Sequence, residues 1–297
     1  MKRWKRKGLI WLLALLVVVA MGFTVKQNFQ FNKGGNEDYA LRPEDARAKN
    51  GIIIFCYHRI LKNTAGVQLS KILSSNSQLH DFNVPLDQFA AQMKTLHEQH
   101  VKVISSAQMA QMKASGKPIK GKYVVLTFDD IDRTTIDNAM PIMKKYHMPF
   151  TTFVITGNTG RYREGTQLAT WSQIKAAKKS AGSLMTLGLH THDMHYLTKK
   201  FTPIFDQPHE YQNFKRDFAL SKRELKAHMG VTAKMFAYPY GSGPKRINNF
   251  LSKQHLTEGI ATLDVGIVTD ETAMNNLPRM IVNGNSWPSI KKWLTQN

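Results

Sequence analysis

The chain has 297 residues, 42% of them hydrophobic, and a single cysteine, Cys56; a disordered chain is excluded by the apolar content, and an internal disulfide by the cysteine count. Its formal net charge is +20, of which Lys2, Arg3, Lys5, Arg6 and Lys7 contribute five, leaving +15 on the rest. Such a surface suits an anionic neighbourhood, an acidic lipid surface or cell wall. Nucleic acid, the usual alternative, is set aside because no nucleic-acid-binding motif is present.

The five basic residues precede an almost wholly apolar stretch, 8–25. A basic segment followed by an apolar one is a membrane-targeting pattern, and its length is at the lower end of what spans a bilayer. Residues 1–27 therefore read as a signal-anchor or a signal peptide. Ala20-Met21-Gly22 makes a poor cleavage site, which favours a retained anchor; a buried helix of the globular domain is the alternative. The positive-inside rule places the body outside the cytoplasm, on the extracellular face of the membrane, or secreted and wall-associated after cleavage. Residues 28–50 are polar, contain Gly34-Gly35, and read as a linker.

From 51 onward apolar strands alternate with amphipathic helices. Residues 51–57 form a strand holding Cys56 in a small apolar role. Residues 85–100 place Phe89, Met93 and Leu96 at helical spacing. A short strand at 101–104 follows, then a continuous apolar run at 123–128, as a strand buried on both faces requires. A helix at 134–147 leads to a strand at 150–155, a helix at 171–180 to a strand at 184–189, and a long helix at 210–229, stopped by Gly230, to a strand at 234–238. Strands at 259–263 and 280–282 and a helix at 289–294 close the chain. Alternation of this kind implies a parallel sheet, and residues 51–297 fit one α/β domain curled into a closed or nearly closed barrel, with its chemistry at the C-terminal strand ends.

Polar residues with chemical potential fall at those ends. Asp129-Asp130 follow the 123–128 run. One carboxylate could bind a divalent metal and the other act as general base toward water; alone, the pair reads equally as a solvated loop or a helix cap. His190 and His195 follow the 184–189 strand at a spacing that suits a turn rather than one helix face. With one carboxylate they leave coordination positions open, as catalytic metal sites do. His192 between them reads as outward-facing or supporting. His58 follows the first strand and could protonate a leaving group, or be structural. Tyr238-Pro239-Tyr240-Gly241 forms a tight turn whose N–H could meet an oxyanion, or is a simple loop. Arg279 is a candidate partner for Asp129, or an ordinary surface arginine.

Together, Phe55-Cys56-Tyr57-His58-Arg59, Thr127-Phe128-Asp129-Asp130, Ala169-Thr170-Trp171, His190 with His195, and Tyr238-Pro239-Tyr240-Gly241 resemble the polysaccharide deacetylases of carbohydrate esterase family four, the NodB-homology domain. The similarity covers about 51–285 and is greatest to the subgroup acting on poly-β-1,6-N-acetyl-D-glucosamine. The resemblance implies a distorted, incomplete (β/α) barrel and an N-deacetylase. It implies Asp129 as general base, Asp130, His190 and His195 as metal ligands, His58 as general acid, and the Tyr240 N–H at the oxyanion. Zinc is the expected metal, with cobalt or nickel as alternatives. Expected partners are a β-linked N-acetylglucosamine polysaccharide, the membrane through the N-terminal segment, and an anionic cell surface. The chain departs from the family at Ile131, where many members have Gly, and at Ala237, where the wider family has Arg. Asp264 is a candidate to orient His58. Peptidoglycan or a chitin-like oligosaccharide is the alternative substrate, and a non-catalytic polysaccharide-binding protein the alternative of another class.

Overall fold

The computed structural model describes residues 2–34, 39–73, 81–163 and 166–296. Helix α1 (Lys2–Gly34) carries the apolar stretch. Leu9, Ile10, Trp11, Leu12 and Leu13 are consecutive and all exposed, so they surround the helix axis instead of forming one stripe. Among the described residues no helix is long and apolar enough to cross a membrane. Because α1 continues through residues 28–34, the expected linker is irregular only from 39 onward, broken by one 3-10 turn at Asp45–Arg47; residues 35–38 lie outside the described ones.

The chain then alternates strands and helices. In order these are β1 (Gly51–Tyr57), β2 (Arg59–Leu61), α2 (Ala65–Leu73), β3 (Asn83–Pro85), α3 (Leu86–Glu98), β4 (Lys102–Val103), α4 (Ser106–Ala114), β5 (Lys122–Phe128), α5 (Met140–Lys145) and β6 (Phe150–Val154). A small antiparallel pair, β7 (Tyr162–Arg163) and β8 (Thr166–Gln167), precedes α6 (Trp171–Ala181) and β9 (Met185–Leu189). The remainder is α7 (Tyr211–Met229), β10 (Met235–Ala237), α8 (Lys245–Leu251), β11 (Gly259–Ala261), β12 (Met280–Ile281) and α9 (Trp287–Thr295).

One sheet organises the domain, in the order β11-β10-β9-β6-β5-β1-β12, with β4 beside β5. Every pairing within it is parallel. β1 covers one edge of β5 from Gly51 opposite Lys122 to Tyr57 opposite Phe128. The other edge is shared: β4 takes Tyr123 and Val124, and β6 takes Leu126 to Phe128. All seven residues of β1 are buried, as a strand with both faces covered must be. The sheet does not close as a continuous ladder. Leu277 bridges Ala261 at the end of β11, and three residues later β12 pairs with Phe55 and Cys56. This short segment spans the gap between the sheet edges, and Arg279 lies on it. The expected incomplete barrel is thus a curled parallel sheet.

The helices form as their sequences dictate. α3 buries Phe89, Met93 and Leu96, the spaced apolar face. α6 starts at a reciprocal cap between Thr170 and Gln173. α7 ends at Gly230, whose φ of 70° belongs to the left-handed region that glycine adopts without strain. The helix expected over 134–147 is instead a π turn at Thr135–Ala139 followed by α5. Pro141 explains the difference. It has no N–H, and its ring would press on the carbonyl of residue 137 in a regular α-helix; the wider turn relieves both. Helix α4 breaks the expected pattern because its apolar residues form no clear stripe. It is instead nucleated by the reciprocal cap of Ser105 and Gln108.

Candidate active site

Because the strands are parallel, β1, β5, β9 and β10 end on one side of the sheet, and each delivers a polar residue there. His58 leaves β1, Asp129 leaves β5, His190 leaves β9 and Tyr240 follows β10; with Asp130 and His195 they line one pocket. Phe82, Arg59, Asn158 and Leu168 form part of its wall.

The two aspartates face the pocket together because the backbone turns between them. Asp129 still belongs to the sheet, its N–H donating to Tyr57 O at 2.9 Å. Asp130 (φ 65°) and Ile131 (φ 50°) are then both left-handed. For a β-branched residue that conformation is strained. The Ile131 side chain is fully buried in the main core, which offsets the strain.

Asp129 is 1% exposed and held by Arg279 in a bidentate pair, Nη1 to Oδ1 at 2.6 Å and Nη2 to Oδ2 at 2.9 Å. Arg279 is itself fully buried. Its Nε donates to Thr262 O at 2.9 Å and its guanidinium lies 5.3 Å from the centre of the Phe153 ring. The Cys56 thiol donates to Asp129 Oδ2 at 3.6 Å, a role beyond the apolar one expected. Burial pushes the Asp129 carboxyl up, but Arg279, with the imidazoles of His190 and His58, more than reverses this and holds it below the usual carboxylate range.

Asp130 meets the histidines. Its Oδ1 is 3.5 Å from His190 Nε2 and 3.4 Å from His195 Nε2. That oxygen is buried and has no hydrogen-bond partner among the described residues. His190 donates from Nδ1 to the Ala237 carbonyl at 2.8 Å, so its Nε2 presents a lone pair to the pocket. Burial lowers His190 to about 4, leaving the ring neutral near pH 7. The fit to a metal follows from these facts. Ligand atoms about 2.0–2.1 Å from a tetrahedral zinc lie about 3.3 Å apart, close to the separations seen here, and the orphaned oxygen lacks only a cation. Asp130, His190 and His195 therefore form a candidate metal group. A second set of close donors, Cys56, His58 and Asp129, has the Arg279 guanidinium against it, which disfavours a cation.

His192 turns away from this group: its Nδ1 hydrogen-bonds Thr156 Oγ1 at 3.0 Å and its carbonyl accepts from Gly157 N at 2.8 Å. A Cβ on Gly157 would lie 2.6 Å from that carbonyl, so only glycine fits there. Asp217, on α7, accepts from the main-chain N–H of His192 and of Asp193, both at 2.7 Å. His58 packs on Phe82 with ring centres 4.5 Å apart. Its Nε2 is 3.9 Å from Asp129 Oδ2 and its Nδ1 4.0 Å from Cys56 Sγ. Burial lowers the His58 pKa, opposed by the two aspartates. Asp264 is not brought to His58; its carbonyl accepts from the Arg279 N–H at 3.1 Å. Tyr240 (φ 60°) bends the turn after β10, its ring 4.8 Å from that of His195.

Arg279 is the pairing the sequence offered only as a candidate. Asp217 and Phe82 had no sequence signal as site residues, because each reaches the site through tertiary contacts, and Cys56 was read only as a small apolar residue of the first strand.

A family model described as polysaccharide deacetylase matches residues 116–259. Among curated proteins, the chain is 28% identical over 295 residues to a poly-β-1,6-N-acetyl-D-glucosamine N-deacetylase of Staphylococcus epidermidis, covering 96% of each chain. A Staphylococcus aureus protein of the same name is 27% identical over 290 residues, with 97% of each covered. Among solved structures, IcaB from Ammonifex degensii superposes with a TM-score of 0.71 at 30% identity, over 83% of this chain and 98% of that one. The Streptococcus pyogenes deacetylase PplD, solved with acetate, shares the fold with a TM-score of 0.65 at 22% identity, over 83% of this chain and 99% of that one.

Proposed function

The chain belongs to the polysaccharide deacetylase family, and from that premise we propose that it removes acetyl groups from poly-β-1,6-N-acetyl-D-glucosamine in a metal-dependent hydrolysis. The observation that carries the reading is the unpartnered Asp130 Oδ1 facing two imidazole Nε2 atoms, beside a base candidate already locked by Arg279. The full-length relatives named for that polymer favour it over peptidoglycan or a chitin-like oligosaccharide.

Asp130, His190 and His195 would hold the metal, zinc first, with cobalt or nickel as alternatives for a mixed carboxylate and imidazole set. When bound, a divalent cation supplies Lewis acidity, which polarises the acetamide carbonyl and makes water acidic enough for a carboxylate held as low as Asp129 to deprotonate. Asp129 takes a proton from water as the water oxygen bonds the acetyl carbon. The Tyr240 main-chain N–H, on the turn after β10, is assigned to the developing oxyanion. His58 protonates the amine as the carbon–nitrogen bond breaks. Its Nε2 is 3.9 Å from Asp129 Oδ2, so the proton removed from water has a short path to the departing nitrogen. The products are acetate and a glucosamine unit.

Each freed amine adds positive charge to the polymer, which then suits adhesion to anionic surfaces and biofilm formation. An extracellular, membrane-associated placement is supported by the all-round apolar exposure of residues 9–13 of α1 and the basic residues at its start.

Asp129→Asn should abolish acetate release from the β-1,6 polymer while the protein still takes up one divalent metal. Undiminished release by that variant would sink the assignment of the base. Faster release from peptidoglycan or chitin oligomers by the wild type would overturn the choice of substrate.

A further inference from the structure

We propose that Asp217 is a positioning residue for the metal centre: a buried carboxylate that clamps the loop between the two histidine ligands. The inference rests on the metal reading given above for Asp130, His190 and His195.

The loop that leaves β9 needs an external hold. Thr191 sits at φ 69°, where a β-branched residue is strained, and the main-chain N–H groups of His192 and Asp193 point into the protein, away from any strand partner. Asp217 is 6% exposed, and each of its oxygens accepts one of these N–H groups at 2.7 Å. Two consecutive donors on one carboxylate fix both the position and the tilt of the loop relative to α7. On the opposite side the loop is held by Gly157 N on the His192 carbonyl and by Thr156 on the His192 ring. The loop is thus gripped from both faces two residues before His195. Its setting decides whether His195 Nε2 and His190 Nε2 reach the same Asp130 oxygen.

A carboxylate is required for this. An asparagine at 217 has one acceptor oxygen, and its NH2 group would face a main-chain N–H, donor against donor. The buried N–H so displaced loses its partner. Supporting groups of this kind, when removed, cost roughly 10–100-fold in metal affinity.

The test uses the full chain and zinc or cobalt alone as probes. Metal affinity is measured by competition with a chromophoric chelator, and cobalt coordination by its visible absorption. Asp217→Asn should bind zinc roughly 10–100-fold more weakly than wild type, with an altered cobalt spectrum. Ser221→Ala removes a buried hydroxyl that has no hydrogen-bond partner among the described residues, one helical turn further along α7, and should bind zinc as the wild type does. Gly157→Ala pushes the same loop from its other face and should also weaken zinc binding, which keeps the test decisive should Asp217→Asn lose its fold. Wild-type affinity in folded Asp217→Asn, or in Gly157→Ala, overturns the clamp while leaving the metal site standing. A wild-type protein that takes up no metal overturns the metal reading itself and the clamp with it.

Discussion

Replacing Arg279 with methionine removes the guanidinium that holds Asp129 and keeps most of the buried volume. The consequence can be worked from the contacts. Two bonds of 2.6 and 2.9 Å put the charge centres about 4 Å apart. At an effective dielectric near 20 such a pair couples by ~4 kcal/mol. Divided by 1.36 kcal/mol per unit, that is about three pH units. In the wild type the Asp129 pKa is depressed below its unfolded value, so its contribution to stability is present above about pH 4 and lost only as pH falls through the lower folded value. In Arg279→Met burial is opposed only by the imidazoles of His190 and His58. The carboxyl rises, and the acid limb of acetate release should move up by about three pH units. Asp129 also becomes a buried charge without its cation, a change that typically costs about 3–5 kcal/mol of stability. The assay is acetate release against pH, paired with chemical unfolding of Arg279→Met and of the double variant Asp129→Asn/Arg279→Met. The double variant should be the more stable of the two, since it buries no unpaired charge. An acid limb coincident with that of the wild type, or a double variant less stable than Arg279→Met, would refute the reasoning.

Three further outcomes are expected. His190, lowered to about 4 by burial, takes up its proton more readily when unfolded, so the metal-free protein should lose roughly 3 kcal/mol of stability as pH falls from about 6.5 to 4; thermal unfolding of chelator-treated protein against pH checks this, and His190→Gln should flatten the curve. Cys56→Ala removes a weak thiol donor 3.6 Å from a carboxylate oxygen that Arg279 already satisfies, so kcat/KM should fall by no more than about tenfold, the scale of one weak hydrogen bond, as read from initial rates of acetate release. The full chain should sediment with vesicles of anionic lipid, whereas a version lacking residues 1–34 should stay in the supernatant; equal partitioning of the two would remove α1 as the membrane-associating element.

The sheet and the ends of its strands were legible because a parallel strand buried on both faces leaves a continuous apolar run, and the first polar residue after it marks the end of the barrel where ligands bind. That rule located His58, Asp129 and His190 from the 51–57, 123–128 and 184–189 runs. It could not separate His192 from His195, since both lie in one loop; the choice is made by Thr156 and Gly157, which turn His192 outward. Nor could it find Asp217, which is on a helix some two dozen residues away and acts through main-chain N–H groups that no side-chain pattern records. Helix α4 escaped for a different reason: its start is encoded by the Ser105 and Gln108 cap rather than by apolar spacing.

Position 237 shows why a motif can change while its chemistry persists. The wider family's arginine is replaced there by Ala237, a departure that left Asp129 without an assigned cation. The structure brings the cation from the far edge of the sheet, because the bridge from β11 to β12 passes Arg279 beside β5. What the site uses at 237 is the carbonyl, which accepts the His190 Nδ1–H and so frees Nε2 for Asp130. Any residue supplies a carbonyl, so the side chain there is released from that duty. Ala237 is fully buried in an apolar cluster that includes Ile54 and Phe153, where a second guanidinium would be a buried charge with the Asp129 carboxylate already taken by Arg279. The small residue at 237 and the arginine at 279 are therefore complementary parts of one arrangement. A positional motif tracks the strand from which a group arrives, whereas the chemistry depends on where its charge ends up.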